Sequence, residues 1–473
     1  MKQKPTGLDA NDWGRTFDRR SFLKCCAAGG LGLYPALSLA AQAHGGAPLA
    51  PRPGHLPAKA KNLIFIFLTG GFSHVDTFDY KPKLQKDHGK KVVDRHLRDT
   101  TDKSYYLIRS PFEFAPRGKS GLMVSELFPH VGALADVVCI IRTLHTDILE
   151  HFQATLAMHT GSATVPMPSL GSWLSYGLGT FNQNLPPYVV LAEHMPYAGA
   201  QVWDSNFLPP QHQGVRVLPG DEPIADLHST ARSVTLAELE QMMLRDVNAL
   251  HAQERSRDLN LQARAQSFET ARGMMRVAPT IFDLAGEANA TLDSYGCPRG
   301  DNRSFAWQCL IARRLVEQGM RVVELIDTGS SSNWDAHGDM QEHRGKARRV
   351  DRAIAALIRD IKQRGLFEET LIAVCTEFGR TPWGGTPQDK GRNHHAKAFT
   401  CLLAGAGVKG GTAYGQTDEY GINIVANPCH VHDYHATILH LMGIDHKKLT
   451  YRYAGRDFRL TDVHGNVLES ILT

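Results

Sequence analysis

The feature that most constrains this chain is a series of short apolar runs, several of which stop at glycine or polar residues. The first run, NLIFIFL at residues 62–68, is followed directly by Thr69, Gly70 and Gly71. A strand that is apolar at nearly every position is typical of a parallel sheet buried on both faces. Similar runs recur along the chain, at residues 137–141, 188–191, 321–326, 370–375 and 398–403.

Helical patterns lie between several of these runs. Residues 302–318 end at Gly319 just before one run, and residues 346–364 end at Gly365 before another. A helix, a terminal glycine and then a strand is the order of α/β units. The chain is therefore predicted to be an α/β protein with a central, mostly parallel sheet sandwiched by helices. A polar stretch that opens with the capping box TLAE predicts a helical insertion at about residues 233–276.

The N-terminal segment has the features of an export signal. Arg19 and Arg20 precede a weakly apolar stretch at residues 25–41, which is broken by glycine and proline and leads to the small residues AQA at 41–43. Such a stretch is too short and too broken for a stable membrane anchor. It resembles a twin-arginine signal, which export machinery recognises as an address. The alternative is a basic N-terminal helix that stays in place.

A domain organisation follows from this interpretation. We expect a signal peptide at residues 1–43, a Gly/Pro/Ala-rich linker at 44–60 and one domain at 61–473. The expected location is the periplasm or the cell surface, and the twin-arginine export machinery is an expected partner. Folding before export, in a reducing cytosol, would leave the six remaining cysteines as free thiols.

Composition and charge exclude several classes of protein. The 473 residues are 42% hydrophobic and include 43 Gly and 24 Pro, which is ordinary for a globular chain and excludes a disordered or coiled-coil protein. Six of the 52 basic and three of the 48 acidic side chains lie in the first 43 residues, so 46 and 45 remain. This balance gives no reason to expect a nucleic-acid partner.

Four polar motifs flank the predicted strands, namely GGFSHVDTFD at residues 70–79, NWDAHGD at 333–339, TEFGRTP at 376–382 and GRNHH at 391–395. Ligands of open α/β sheets bind beyond the carboxyl ends of the strands. Each motif alone is common in hydrogen-bonded turns, but four of them on one edge predict a site. The predicted metal ligands are His74, Asp76, Asp335, His337, Glu377 and His394.

Mixed imidazole and carboxylate ligands predict a divalent metal cofactor. Such a set suits Zn or Mn better than an all-oxygen Ca site, with Mg and Ca as the alternatives. A metal held there would polarise a phosphoryl or sulfuryl oxygen or lower the pKa of water. Arg380 is predicted to hold an anionic ester substrate through two hydrogen bonds, and its alternative role is an ion pair with Glu377.

Taken together, the motifs resemble those of the exported bacterial domain-of-unknown-function family 1501. The resemblance covers nearly the whole chain after the signal and rests on residues 70–79, 334–337, 376–382, 405–411 and 430–440. That family is grouped with the alkaline-phosphatase-like superfamily of phosphatases, sulfatases and phosphomutases. The resemblance therefore implies an alkaline-phosphatase-like fold and a divalent-metal site.

The chain departs from the superfamily pattern at the metal ligands. Its strand-then-Thr-Asp-His-Gly element resembles TEFG at residues 376–379, where Glu377 keeps a carboxylate but Phe378 replaces a histidine. The superfamily's Asp-x-x-x-His pair falls on Asp339 and His343 by spacing. By analogy with the closer family it falls on Asp335 and His337 instead, and we favour this second register.

The nucleophile position also departs from the superfamily. Relatives commonly carry a Ser, Thr or formylglycine-forming Cys nine residues before a Thr-Gly pair, and here that position is His151, nine residues before Thr160. Histidine can act as a phosphoryl acceptor, a base or a ligand. No Cys-x-Pro-x-Arg occurs in the chain, which excludes a formylglycine sulfatase.

Two functions follow from the sequence. The first is an exported, metal-dependent hydrolase of phosphate or sulfate esters, in which His151 is nucleophile or base. The second is a catalytically silent relative that binds an anionic polymer or a partner at the cell surface. The absent nucleophile and Phe378 favour the second function, whereas the many histidines and carboxylates at strand ends favour the first.

Overall fold

A computed structural model describes residues 49–95, 100–225, 233–253, 255 and 259–473. The predicted signal with Arg19 and Arg20, and its cleavage site, lie outside the described residues. Within the described part of the chain, no helix combines the length and the apolar character that a membrane span needs.

A nine-stranded sheet forms the centre of the fold. Each predicted apolar run forms one of its strands, and three short strands at the edges complete it. The strands are β1 (Asn62–Phe67), β2 (Val138–His145), β3 (Tyr188–Ala192), β4 (Val215–Val217), β5 (Val322–Ile326), β6 (Thr370–Cys375), β7 (Phe399–Ala404), β8 (Thr412–Tyr414) and β9 (Cys429–His430).

The sheet is parallel except at one strand. Its order is β8-β2-β7-β6-β1-β5-β3-β4, and β9 also pairs with β2. β1 runs parallel to both β6 and β5, whereas β7 runs antiparallel to its neighbours β6 and β2. The residues just before β7 therefore lie at the same edge of the sheet as the residues just after β1, β2, β5 and β6.

Helices cover both faces of the sheet, as the sequence predicts. Alternate residues of β1 point to opposite faces, so Ile64 and Ile66 join one buried core while Leu63 and Phe65 join the other. The longer helices are α1 (His151–Thr160), α2 (Leu170–Leu178), α3 (Val234–Gln253), α4 (Leu259–Phe282), α5 (Asn289–Tyr295), α6 (Phe305–Glu317), α7 (Glu342–Gln363) and α8 (Val431–Leu441).

Each face has its own helices. Helices α5, α6 and α7 belong to the core that contains Ile64, and α1, α2 and α8 belong to the core that contains Leu63. This arrangement confirms the predicted α/β class. In the region of the predicted insertion, α4 packs Met274, Ala278 and Ile281 into the first core.

The fold also contains short helices, short strands and 3₁₀ turns outside the central sheet and the longer helices. Short helices lie at Pro82–Lys86 and Pro129–Gly132. Short strands lie at Lys91–Asp94, Lys103–Leu107, Phe114–Arg117, Leu122–Ser125, Gly379–Arg380, Trp383–Gly384, His394–His395, Gln416–Thr417, Ile424–Ala426, Tyr451–Tyr453 and Arg456–Phe458. Single 3₁₀ turns lie at His74–Asp76, Ala135–Val137, Gly199–Trp203, Pro210–His212, Phe367–Glu369 and Glu469–Ile471.

His435 in α8 is a histidine of the buried core. Its ring is fully buried, its Nε2 lies 2.7 Å from the carbonyl oxygen of Met158, and its Nδ1 has no hydrogen-bond partner. Because the neighbouring atom is a carbonyl oxygen, Nε2 carries the proton and donates it. Burial lowers the pKa of His435 to about 3, so the ring is neutral in the folded protein.

This burial predicts a pH-dependent stability. Below about pH 6.5 the unfolded chain binds a proton at His435 that the folded chain does not bind, so the free energy of unfolding falls as the pH falls. Between about pH 6.5 and 3 the expected loss approaches about 1.4 kcal/mol per pH unit. In urea unfolding across this range, His435→Gln is expected to show a shallower loss than the parent. His440→Gln, at the half-exposed end of the same helix, serves as the control, and equal slopes in all three proteins would contradict the prediction.

Candidate metal centre

The loop after β5 is fixed by a buried carboxylate. Asp327 accepts hydrogen bonds from the backbone N–H of Thr69 at 2.9 Å and from Nε1–H of Trp334 at 2.7 Å. Burial raises the pKa of Asp327 to about 6, against the opposing effect of these donors. The Trp334 ring is fully buried. The next residue, Asp335, is therefore held at the carboxyl edge of the sheet.

The carboxylate of Asp335 is the centre of the candidate site. Its Oδ1 lies 2.9 Å from Nε2 of His337 and 3.4 Å from Nε2 of His394. Its Oδ2 lies 3.3 Å from Nε2 of His151, and Nη2 of Arg380 lies 2.6 Å from Oδ1. Three imidazoles from three separate segments thus direct the same ring nitrogen at one carboxylate.

The second ring nitrogen of each imidazole faces an oxygen. Nδ1 of His151 lies 2.7 Å from Oε1 of Glu377, and Nδ1 of His394 lies 2.7 Å from the carbonyl oxygen of Leu149. Nδ1 of His337 lies 3.3 Å from Oδ1 of Asn393. These oxygens accept, so each Nδ1 carries a proton and each Nε2 of a neutral ring keeps its lone pair. Hydrogen bonds of this kind orient histidines in metal sites.

The geometry fits a divalent metal ion. Nε2 of His337 and Nε2 of His394 lie 3.1 Å apart, although both keep lone pairs when the rings are neutral. Ligands about 2.0–2.1 Å from a tetrahedral zinc ion are separated by about 3.3 Å, close to the separations within this group. Ligand atoms of His151, Asp335 and His394 all lie within 4.8 Å of one another. Nε2 of His151 is buried and lacks a hydrogen-bond partner. Its lone pair is therefore available to a metal ion or a proton.

The electrostatics of the cluster keep its carboxylates ionised. Burial opposes the charge of Asp335, but the histidines and Arg380 outweigh it and hold the pKa of Asp335 far below its usual range. Burial likewise disfavours charge on His151, but attraction to Asp335 and Glu377 prevails and raises its pKa. Glu377 is fully buried, and His151 more than offsets that burial and lowers the pKa of Glu377.

Comparison with known proteins places the chain in a family. Residues 60–472 match the family described as "Protein of unknown function (DUF1501)". The chain belongs to this family. No curated protein matches it.

The chain also matches solved structures of a phosphonate monoester hydrolase, a sulfatase and an alkaline phosphatase. The phosphonate monoester hydrolase SpPMH from Silicibacter pomeroyi is 13% identical, with 87% of this chain and 76% of that chain covered and a TM-score of 0.35. The PsFucS1 sulfatase from Pseudoalteromonas sp. is 12% identical, with 81% and 68% covered and a TM-score of 0.36. The alkaline phosphatase from the Antarctic bacterium TAB5 is 10% identical, with 77% and 96% covered and a TM-score of 0.30. Such low similarity assigns no activity.

Within this DUF1501 chain, the structure brings together six of the predicted site residues. Asp335, His337, His394 and His151 form the cluster, which agrees with the favoured register. The alternative register does not reach it, because His343 is fully buried and its Nε2 accepts the backbone N–H of Ser73 at 3.2 Å. The other two are Glu377, which lies behind His151, and Arg380, which pairs with Asp335.

Glu377 orients a neighbour where it was expected to bind metal. Besides Nδ1–H of His151, its oxygens accept the backbone N–H of Gly70 at 2.8 Å and the hydroxyl of Thr376 at 2.9 Å. The side chain is fully buried. Its acceptor positions are thus occupied by protein donors, and the carboxylate supports the tautomer and position of His151.

His74 and Asp76 have partners away from the cluster. The carboxylate of Asp76 receives two hydrogen bonds from Arg392, at 2.7 and 3.2 Å. The His74 ring stacks on His395 and its Nε2–H donates to the carbonyl oxygen of Gly421 at 2.9 Å. Both side chains are fully buried. Their polar atoms serve the packing of the loop after β1, which the sequence does not distinguish from ligand positions.

Arg380 was expected to contact the substrate, but its side chain contacts protein groups instead. Its guanidinium pairs with Asp335, where the sequence suggested Glu377, and Nε–H donates to the carbonyl oxygen of Gly71 at 2.8 Å. The side chain is fully buried. Arg380 therefore neutralises and holds the central carboxylate and is not accessible to an anionic ester.

Tyr197 was missed by the sequence analysis. Its ring stacks on His151, with centroids 4.2 Å apart and planes inclined by 11°, and its hydroxyl accepts a hydrogen bond from Nδ2 of Asn333 at 3.0 Å. The Phe378 ring also packs against the cluster, with its centroid 4.7 Å from that of His151 and 4.5 Å from that of His394. No motif in the loop around Tyr197 signals this contact.

Metal binding is the first property that this site predicts. Protein purified without chelator or affinity-tag metal is expected to retain about one equivalent of a transition metal, with Zn or Mn as the first candidates. Because only the folded chain presents the cluster, added metal is expected to stabilise it by about 2.7 kcal/mol at a hundredfold excess over Kd. Elemental analysis and thermal melts measure the two effects.

Asp335→Ala and His394→Ala test whether the cluster holds the metal. Both variants are expected to retain less than about a tenth of an equivalent and to lose the thermal shift, while His440→Gln keeps both. A metal-free parent whose melting temperature does not respond to Zn, Mn, Mg or Ca would remove the basis for a metal site here.

Proposed function

We propose that this chain is a metal-dependent hydrolase of phosphate or sulfate esters. The observation that carries the proposal is the convergence of three oxygen-oriented imidazoles on the Asp335 carboxylate at the ligand-binding edge of an α/β sheet. The cluster combines ligand types that suit Zn or Mn. It also combines groups that can move a proton with groups that can hold an ion.

Asp335, His337 and His394 would hold the metal in this proposal. When bound, a divalent ion would supply Lewis-acid polarisation of a phosphoryl or sulfuryl oxygen. Arg380 balances the charge of Asp335 from the buried side and, with its backbone contacts, fixes the carboxylate in place. Phe378, packed on His394, keeps water from that side of the ring.

His151 would serve as the base or the nucleophile. Glu377 accepts a hydrogen bond from Nδ1–H, so Nε2 is the atom that takes up a proton or attacks the ester. A histidine oriented by a buried carboxylate is a recurring arrangement in hydrolases. Tyr197 covers one face of the ring and limits its rotation. The role does not need a formylglycine, for which this chain has no sequence motif.

An ester panel with two matched variants tests this function. The parent, loaded separately with Zn, Mn, Mg and Ca, is assayed on phosphate, phosphonate and sulfate esters. His151→Ala is expected to lower kcat by about 10²–10⁴-fold. It is also expected to destabilise the fold by about 3 kcal/mol, because it leaves the buried Glu377 carboxylate without its Nδ1–H donor.

The double variant His151→Ala/Glu377→Gln separates chemistry from stability. It removes the uncompensated charge and is expected to recover most of the lost stability but none of the activity. Recovery of activity together with stability would show that His151 has only a structural role. A parent inactive on the whole panel with every metal would favour the silent binding protein.

Export by the twin-arginine route remains part of the proposal. Each of the six cysteines after residue 43 is buried and free, and folding in a reducing compartment would keep them so. With Arg19 and Arg20 replaced by lysine, full-length protein is expected to accumulate in the cytoplasm. Fractionation and N-terminal sequencing measure this, and normal export of the variant would contradict the proposed route.

A further inference from the structure

A polar cavity adjoins the metal cluster. Its volume is about 310 Å³, and His337 lines it together with Gln388, Lys390 and Asn393. The His337 side chain is about half exposed, at 48%, whereas Asp335 and His394 are more covered. His337 therefore forms the boundary between the cluster and the cavity. A cavity of this size lies at the lower end of the range for small-molecule sites.

The charged residues that line this cavity differ in whether other protein groups already bind them. Asp389 also lines it, but its Oδ2 accepts the backbone N–H of Gly385 at 2.7 Å and of Thr386 at 3.2 Å. Its Oδ1 accepts the hydroxyl of Thr386 at 2.6 Å. These donors, with the Thr386 hydroxyl foremost, lower the pKa of Asp389 despite partial burial. The Asp389 carboxylate is thus already bound by hydrogen-bond donors of its own loop.

The two cationic residues that line the cavity also differ in whether a carboxylate already pairs with them. Arg392 is fully buried and forms a two-bond ion pair with Asp76. Lys390 is exposed, and among the described residues none of the carboxylates forms an ion pair with it. Its backbone carbonyl accepts the N–H of Met340 at 2.9 Å, which fixes the chain at this point. Lys390 therefore carries a positive charge on a side chain that is attached to a fixed point of the cavity wall.

We propose that this cavity binds the organic part of the substrate and that Lys390 recognises a second negative charge on it. The inference rests on the proposed ester hydrolysis and names its substrate class, a hydroxylated compound that carries an anionic group besides the ester. The polar wall provides hydrogen-bond partners for hydroxyl groups. An aromatic ester would find no apolar surface of comparable extent in this cavity.

Two esters that differ mainly by one charge test the inference. Glucitol 6-phosphate and 6-phosphogluconate are both open chains that carry a phosphate on carbon 6, but only the second has a carboxylate. The parent is expected to prefer 6-phosphogluconate in kcat/KM. In Lys390→Met this preference is expected to fall about fivefold, near the upper limit for one exposed charge, and Lys390→Arg is expected to restore most of it. Lys119→Met, which removes an exposed lysine outside the cavity lining, controls for net charge.

The outcomes separate this inference from the proposed function. A preference that Lys390→Met leaves unchanged, or that Lys119→Met lowers equally, would overturn the role of Lys390. If the parent hydrolyses neither ester, the proposed function fails for this class, and calorimetric binding of the same two compounds decides the inference. Tighter binding of 6-phosphogluconate that Lys390→Met weakens would support the cavity. Equal binding of both compounds, or no binding, would overturn it.

Discussion

The site depends on keeping one carboxylate charged while most of it is shielded from water. Removing an ionised carboxylate from water is costly unless opposite charges and hydrogen bonds replace the solvent. Around Asp335, Arg380 supplies the opposite charge, and Nε2 of each of three imidazoles lies within 3.4 Å of the carboxylate. Each of these groups comes from a different part of the chain. The contacts that these groups make with the Asp335 carboxylate therefore hold the loops at this edge of the sheet together.

Close backbone approach makes this convergence sterically feasible. Gly70 has a φ of 111°, and a Cβ at this position would lie 2.6 Å from the backbone nitrogen of Trp334. The same residue donates its N–H to Glu377, so it contacts the segments after β5 and β6 at once. A side chain here would separate the Trp334 loop from Glu377. The apolar strand that ends at this glycine thus leads directly into the framework of the site.

The sequence predicts the position of a residue that a strand end determines, but it does not predict a role that depends on a side-chain partner. Asp335 and His337 follow a predicted strand, which brings them to the ligand-binding edge, whereas His394 precedes a strand and reaches that edge because β7 is antiparallel. His74 and Asp76 also follow a strand, but Gly421 and Arg392 hold their polar atoms instead. Position along the chain does not reveal which donor or acceptor a side chain meets, because these partners are distant in sequence.

By itself, the amino-acid sequence determined the α/β class, the strands of the sheet and the residue types at its ligand-binding edge. These follow from local periodicity and from residues adjacent in the chain. Only the tertiary structure decided that β7 is antiparallel, that Glu377 supports His151, and that Arg380 serves Asp335 and not an ester. Each of these roles depends on which buried charged groups and hydrogen-bonding partners lie close together. These distances are set only when the chain folds.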